Sequence, residues 1–395
     1  MGVLTATLKF KVSPEEPLLN LVERYVQALR YSLNWIIDHK EVRLSRVHRA
    51  LYRDLKTKYN LPSRIAIDCY REAISIAKSW FKNPNRGRRP IIKTKRTWLA
   101  PKQSYSIHLE KMTVKISSIG EIKLIGYQSN IEDYSDWSIR EARLTVKSNG
   151  VFLHVSVKKN IKEPIPSSNA IAVDINEREV VYGFPSKIVR DKTRVEDCIR
   201  IKKYINHLQR KYSSPKYKAW LRPGILRRIK ALYSRIRNIT EDFAKQQAKK
   251  IINYAVENGK DTIVLEDLNK LNSNSRKLRK PWRERLTYTT YRKLQFWIEW
   301  QAKKKGLAII KVDPKGTSTI CPYCRQKMKK TAHRKYKCSN CSFEEDRDVI
   351  AVLNLIRKMG VPLPHPTAPP MKDVNPNKGG ELCQAATTPI VFQSN

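Results

Sequence analysis

Residues 321–341 read CPYCRQKMKKTAHRKYKCSNC, and residues 344–355 follow almost at once as EEDRDVIAVLNL. Two cysteine pairs spaced for a metal stand beside a carboxylate cluster that also suits one. Cys321 and Cys324 are separated by two residues, as are Cys338 and Cys341, with thirteen residues between the pairs. Each C-x-x-C pair can turn two thiolates onto one ion, and four thiolates complete a tetrahedral shell. A closed shell leaves no position for water or substrate, so one zinc ion held here is structural. The stretch has few large apolar residues, and metal binding would supply much of the folding free energy of a small two-stranded ribbon.

The carboxylates ask for a different metal. EEDRD opens an apolar-periodic helix expected from about Asp346 to Met359. Asp346 stands where a capping residue belongs. Asp348 points about 200° away from it around the axis, on the side of Val352 and Leu355. Upstream, Asp174 lies in the apolar run AIAVDI (170–175), and Glu266 lies in TIVLEDL (262–268). Both runs read as buried strands, and Asp267 faces away from Glu266 because side chains alternate. An unpaired acid in a buried strand is costly, so each must reach a strand end, meet a cation or bind metal. For either acid alone, a capped strand end or a salt bridge suffices. Taken together, three acids from two strands and a helix could hold two magnesium ions, which activate water and stabilise the leaving oxygen of a phosphodiester.

The charge of the chain names the kind of partner. Its 395 residues carry 79 Lys and Arg against 36 Asp and Glu, a formal net charge of +43. Such an excess opposes compaction by self-repulsion and suits a polyanion, above all nucleic acid. No apolar run approaches the ~18–20 residues of a membrane span, and MGVLTATLKFKV alternates like a strand without the shape of a signal peptide. Seven cysteines, four of them in tight pairs, favour a reducing compartment. The expectation is a soluble, cytoplasmic, nucleic-acid-facing protein. Cys69, Cys198 and Cys383 are assigned no chemistry; Cys69 fits a helix core, and Cys198 sits in a basic polar stretch.

Along the chain, residues 3–12 read as a strand. Leu18, Leu21, Val22, Tyr25, Leu29, Leu33 and Ile36 then recur at helical spacing, and Ile65, Cys69, Ile74, Ala77 and Phe81 mark another helix. Two to four helices are therefore inserted after the first strand. Residues 81–102 hold eight basic residues and no acid, and their Gly and Pro predict an extended basic loop. From Tyr105 to about Lys159, short alternating runs predict an antiparallel sheet or small barrel with which the first strand pairs. VVYGF (180–184) is the expected hairpin partner of AIAVDI. Residues 201–250 carry fifteen Lys or Arg against two acids in long helical segments. This stretch and the 81–102 loop are the expected phosphate contacts. A helix over roughly 288–305 and a strand at LAIIKVD (307–313) precede the cysteine segment. Residues 361–395 are Pro-rich and neutral, and are expected to be disordered.

These motifs carry a resemblance. The strand acids in VDINE and VLEDL, then DPKGTSTICPYC…CSNC, then DRDVIAVLNL resemble the TnpB (OrfB) family of transposon-encoded proteins, related to type V CRISPR effectors. Upstream, the split first strand, LPSR, the basic loop and SYSI extend the likeness over nearly the whole chain except the tail. The resemblance implies an α/β fold, with an RNase H-like (RuvC) nuclease domain interrupted by a zinc ribbon and a wedge β-barrel split by a helical recognition lobe. On that pattern, residues 1–13 and 89–165 form the wedge and 14–88 the recognition lobe. Residues 166–318 form the nuclease domain, 319–343 the ribbon, 344–360 the last nuclease helix and 361–395 the tail.

The resemblance also implies an RNA-guided, magnesium-dependent endonuclease that cleaves double-stranded DNA next to a transposon-associated motif, using a guide RNA from the transposon end. Asp174, Glu266 and Asp348 would be the catalytic, magnesium-binding acids. Cys321, Cys324, Cys338 and Cys341 would bind zinc. The chain departs from the family at Ile350, where Asn is usual, and at Arg325 and Ser342, where Gly usually follows each cysteine pair. A guide-directed DNA-binding protein with a weakened nuclease and a DNA strand-transfer transposase are the alternatives.

Overall fold

In this computed structural model, the structure describes residues 2–127, 131–214, 216, 218–267, 285, 291–361 and 363. The chain divides into two compact units. The first comprises Met1–Ser167, Ala244–Thr262 and Arg292–Ile309, and the second comprises Ser168–Phe243, Ile263–Tyr291 and Ile310–Asn395.

In the first unit, β1 (Gly2–Val12) is followed by three helices, α1 (Glu16–His39), α2 (Leu44–Thr57) and α3 (Ser63–Lys82). The apolar stripe expected of α1 is buried at every one of its seven positions, which is what a 3.6-residue period demands of a core-facing helix. After the helices the chain forms β2 (Lys95–Leu99), β3 (Tyr105–His108), β4 (Thr113–Ile116), β5 (Gly120–Tyr127), β6 (Ser138–Lys147) and β7 (Gly150–Ile161). The sheet order is β2-β6-β7-β1-β5-β4-β3. β1 therefore fills a central slot, antiparallel to both β5 and β7, and the helices lie on a detour out of one sheet.

The basic stretch after α3 differs from expectation. Lys95–Leu99 is not loop but an edge strand on β6, so the irregular part runs over residues 83–94. Buried acids on α3 explain why this edge is held. Asp68 accepts from the Ala100 amide at 3.0 Å and from the Ser104 hydroxyl. One turn along, Glu72 accepts from the Tyr25 hydroxyl at 2.9 Å and pairs with Arg96 of β2 at 3.1 Å. Partnered in this way, two carboxylates that would be costly alone fasten the helical layer to the sheet.

The second unit is built on a sheet ordered β10-β9-β8-β11-β12, from β8 (Ala170–Ile175), β9 (Glu179–Phe184), β10 (Lys187–Lys192), β11 (Thr262–Glu266) and β12 (Ala308–Val312). β8 and β9 form the expected antiparallel hairpin. Gly183 sits in that hairpin at φ 149°, and a Cβ there would come 2.2 Å from the Lys187 carbonyl oxygen, so only glycine allows β10 to approach so closely. The long helical segments are α4 (Val195–Ser213) and α5 (Arg222–Glu257). They enclose their own core of Cys198, Ile205, Leu208, Ile225, Ile229 and Ile236. Cys198, expected in a polar stretch, is thus an interior residue of that hairpin.

Tyr291–Lys305 forms α6, whose first expected residues, 288–290, lie outside the described ones. Three short strands follow, β13 (Lys329–Ala332), β14 (Lys335–Lys337) and β15 (Glu344–Asp346), then α7 (Arg347–Arg357). The ribbon expected with two strands has a third, and that third strand is the acidic run itself. Lys335 faces Asp346 and Lys337 faces Glu344 across β14 and β15, opposite charges that favour this register. The final helix therefore opens at Arg347, after the strand, with Asp346 as its N-cap. Val361 and Leu363 pack as partly buried residues against the core under α7. The rest of the expected disordered tail, with Cys383, lies outside the described residues. Among the described residues, no helix is long and apolar enough to cross a membrane.

Candidate functional site

Strand alternation decides where the acids go. Ala170 and Ala172 of β8, Val181 of β9 and Val264 of β11 share a core with Val352, Leu355 and Ile356 of α7. Side chains two apart on a strand share a face, so Asp174, Glu179 and Glu266 lie on the face that α7 covers. Asp348 lies four residues before Val352 and seven before Leu355, on the same helical stripe. It is 1% exposed. Asp346, two residues earlier, instead accepts a hydrogen bond from the Asp348 amide at 2.9 Å, as an N-cap does.

The electrostatics mark Asp174 and Glu266 as ill at ease with their charge. Burial pushes the Asp174 carboxyl up to about 7, and the Glu266 charge adds to it; a hydrogen bond from Asn176 and the charges of Arg347 and Arg334 offset this in part. Asn176 donates to Asp174 at 2.6 Å. Burial also raises Glu266, opposed by the Thr317 hydroxyl 2.8 Å away and by Lys358. Tyr291 is held up at about 12, first by burial and then by the charges of Asp174, Glu177 and Glu266. Carboxylates kept in a dry, mutually repulsive setting are what a hard divalent cation would relieve.

Asp348 is treated differently. It is paired with the guanidinium of Arg347 at 3.1 Å and with that of Arg334, which also reaches Glu179 at 2.6 Å. Arg334 occupies the turn between β13 and β14 with φ 65°, and its carbonyl accepts from the Arg347 amide at 2.7 Å. Arg190 adds a pair to Asp346 at 3.0 Å. Arg334 thus ties Glu179 and Asp348 to the ribbon, and Arg190 ties β10 to the ribbon's last strand. An isolated Arg in a basic chain carries no sequence signal; only the fold shows which guanidinium meets which acid.

The cysteines converge as expected. The four sulfur atoms lie within 4.8 Å of one another, the only such group of potential metal ligands among the described residues. Cys321 and Cys341 sulfurs are 3.5 Å apart, and those of Cys324 and Cys338 are 3.2 Å apart. Four thiolates at about 2.3 Å from one zinc ion stand about 3.8 Å from each other, so the donor set fits a structural zinc. The carboxylates of Asp174, Glu266 and Asp348 do not gather that tightly.

The departures from the family pattern acquire reasons here. Arg325 and Ser342 take φ of 66° and 58°, the left-handed region that glycine enters freely. Ile350 is fully buried and packs with Cys321, Met328 and Cys338. One turn on, Asn354 donates to the carbonyls of Thr317 at 2.8 Å and Ile320 at 2.6 Å. Arg357 reaches the carbonyls of Cys321 and Pro322. One side of α7 therefore grips the ribbon while the other meets the sheet.

With the four-cysteine ribbon and the acid-bearing sheet described, the chain can be set beside the known proteins it is similar to. Residues 291–355 match the model of the Cas12f1-like TNB domain. The chain is 29% identical over 231 residues to a TnpB-like protein of Methanocaldococcus jannaschii, covering 58% of this chain and 81% of that one. It is 27% identical over 129 residues to the CRISPR-associated endodeoxyribonuclease Cas12f1 of Sulfoacidibacillus thermotolerans, covering 32% of this chain and 29% of that enzyme. The cryo-EM structure of a Cas12f1–sgRNA–target DNA complex shares its fold, with a TM-score of 0.52, 17% identity and coverage of 86% of this chain and 82% of that one. The chain is thus similar to a TnpB-like protein over more than half of its length and shares a TNB-type segment and a fold with Cas12f1.

Proposed function

We propose that this protein is an RNA-guided, magnesium-dependent DNA endonuclease of transposon origin. The observation that carries the reading is that Asp174 and Glu266 lie on the sheet face covered by α7, while Asp348 lies on the stripe of α7 that packs on that face. On this reading an RNase H-like (RuvC) nuclease domain spans 166–318, with the ribbon at 319–343 and the last helix at 344–360. The seven-stranded sheet is the wedge, in segments 1–13 and 89–165, with the helical insertion 14–88 as recognition lobe. The M. jannaschii relative is TnpB-like and the Cas12f1 relative is an endodeoxyribonuclease, which supports the assignment of activity. The Cas12f1 complex of similar fold contains an sgRNA and target DNA, and the net charge of +43 suits both kinds of partner.

Asp174, Glu266 and Asp348 would hold the magnesium. Bound there, magnesium would supply activation of water and stabilisation of the leaving oxygen of a phosphodiester. The chain's own residues prepare the place. Burial raises the proton affinity of Asp174 and Glu266, so both bind a cation more readily than they bear bare charge. Asn176 and Thr317 orient the two carboxylates. Arg334 and Arg347 fix Asp348 from the ribbon and from the helix start. The ribbon thereby keeps the third acid in register.

The test is to sequence the RNA that co-purifies with the protein, then offer a duplex matched to its guide segment with magnesium or with a chelator. Magnesium-dependent breaks at the matched site support the reading. Binding without cleavage points to a guide-directed DNA-binding protein, and joined strands in place of breaks point to a strand-transfer enzyme.

A further inference from the structure

Between residues 198 and 240 the chain holds thirteen Lys and Arg and no acid. These residues fold as the α4–α5 hairpin around an apolar core of its own. Its two helices are also linked by cations laid on rings. Arg222 sits over Tyr212 with its guanidinium 5.9 Å from the ring centre, Arg228 over Tyr204 at 5.4 Å, and Lys202 over Tyr233 at 5.2 Å. His207 stacks on Tyr204 at an interplanar angle of 17°. At the tip, where Ala219–Leu221 forms a single 3-10 turn, Trp220 is 72% exposed. Among the described residues it makes no hydrogen bond, ring contact or cation contact. Lys216, Lys218 and Arg222 stand beside it in the sequence.

An indole left this open is unusual, because a chain ordinarily keeps tryptophan mostly covered. A bare ring in a basic stretch that contains no acid is the composition of a platform on which bases stack while phosphates meet Lys and Arg. We propose that Trp220 at the α4–α5 tip stacks an unpaired nucleobase of single-stranded RNA, the inference resting on the nucleic-acid reading above. RNA is favoured over intact duplex DNA because RNA loops and ends splay bases outward, whereas a duplex keeps its bases within the stack. An acidic protein segment would satisfy the lysines and leave the indole without a flat partner.

Full-length protein freed of nucleic acid in high salt can be titrated against labelled single-stranded oligouridylate, single-stranded DNA and duplex DNA by fluorescence anisotropy. Trp220→Ala should weaken oligouridylate binding about tenfold, with an unchanged dependence on salt because stacking releases no counterions. Trp220→Phe should restore most of that loss, and duplex affinity should not move. Because the side chain is exposed, the melting temperature should stay at the wild-type value. Unchanged oligouridylate affinity in Trp220→Ala, a loss as large on duplex, or a loss on single-stranded DNA alone overturns the proposal. Wild-type protein that binds no RNA would instead defeat the nucleic-acid reading on which it rests.

Discussion

The thiolate cluster and the carboxylate region of this protein are built on opposite principles. The thiolate site is complete in itself: its four ligands come from two tight knuckles and lie within 4.8 Å of one another, and its neighbours Ile350 and Met328 are apolar. The carboxylate region draws its acids from two strands and a helix far apart in sequence. There Asp174 is raised to about 7 by burial and the charge of Glu266, while Asp348 is held by two guanidiniums. A structural site can be closed and local because it only has to hold. A site for chemistry has to stay open, and under the proposed function its ionisable groups are spread over elements that the rest of the fold must position.

That contrast can be broken most forcefully at the strands. Asp174→Ala and Glu266→Ala should each reduce cleavage of a matched duplex below detection while RNA and DNA binding persist, as measured by gel cleavage and anisotropy. Neither should lower thermal stability much, since each removes a carboxylate kept against its preference. Cys338→Ser should act the other way. It should lose the zinc, seen as less than one ion per chain by metal analysis, and unfold the ribbon, with cleavage lost because Arg334 and Asp348 lose their register. Retention of full activity with one zinc per chain would contradict the assignment.

Smaller effects sharpen the same comparison. Salt should weaken guide binding steeply through counterion release if the basic stretches 83–94 and 198–240 carry the phosphates; salt-independent binding would exclude them. Arg325→Gly and Ser342→Gly should each stabilise the zinc-loaded ribbon by about 0.5–1 kcal/mol, since left-handed backbone costs a side-chain-bearing residue more than glycine. Thermal unfolding of the zinc-loaded protein checks this, and destabilisation would show that the two side chains contribute contacts of their own.

How much of this was legible beforehand follows from the range of each signal. The cysteine spacing is local, so the four-cysteine cluster could be read from four letters. Asp174 and Glu266 stood out because a charge inside an apolar strand is anomalous whatever surrounds it. The split of Asp346 from Asp348 followed from helix geometry alone, and Asp346 does cap α7. Residues whose meaning depends on distant partners were not legible. Glu344–Asp346 reads as the approach to a helix, yet it becomes a strand because Lys335 and Lys337 lie opposite it. Lys95–Leu99 looked like more basic loop, yet it is drawn into the sheet edge, with Arg96 meeting the buried Glu72. Arg334 and Asn354 gave no signal at all, because their roles exist only once α7 lies between the ribbon and the sheet.

The central claim is that Asp348 belongs to the carboxylate site while Asp346 only begins the helix. Cleavage of a matched duplex by Asp348→Ala and Asp346→Ala, measured side by side with guide binding and thermal stability, tests it most directly. The account predicts that Asp348→Ala binds guide and target but leaves the DNA intact. It predicts that Asp346→Ala cleaves, with stability lower by about 0.5–2 kcal/mol from the lost cap. An active Asp348→Ala protein, or an Asp346→Ala protein that folds normally yet is dead, would contradict it.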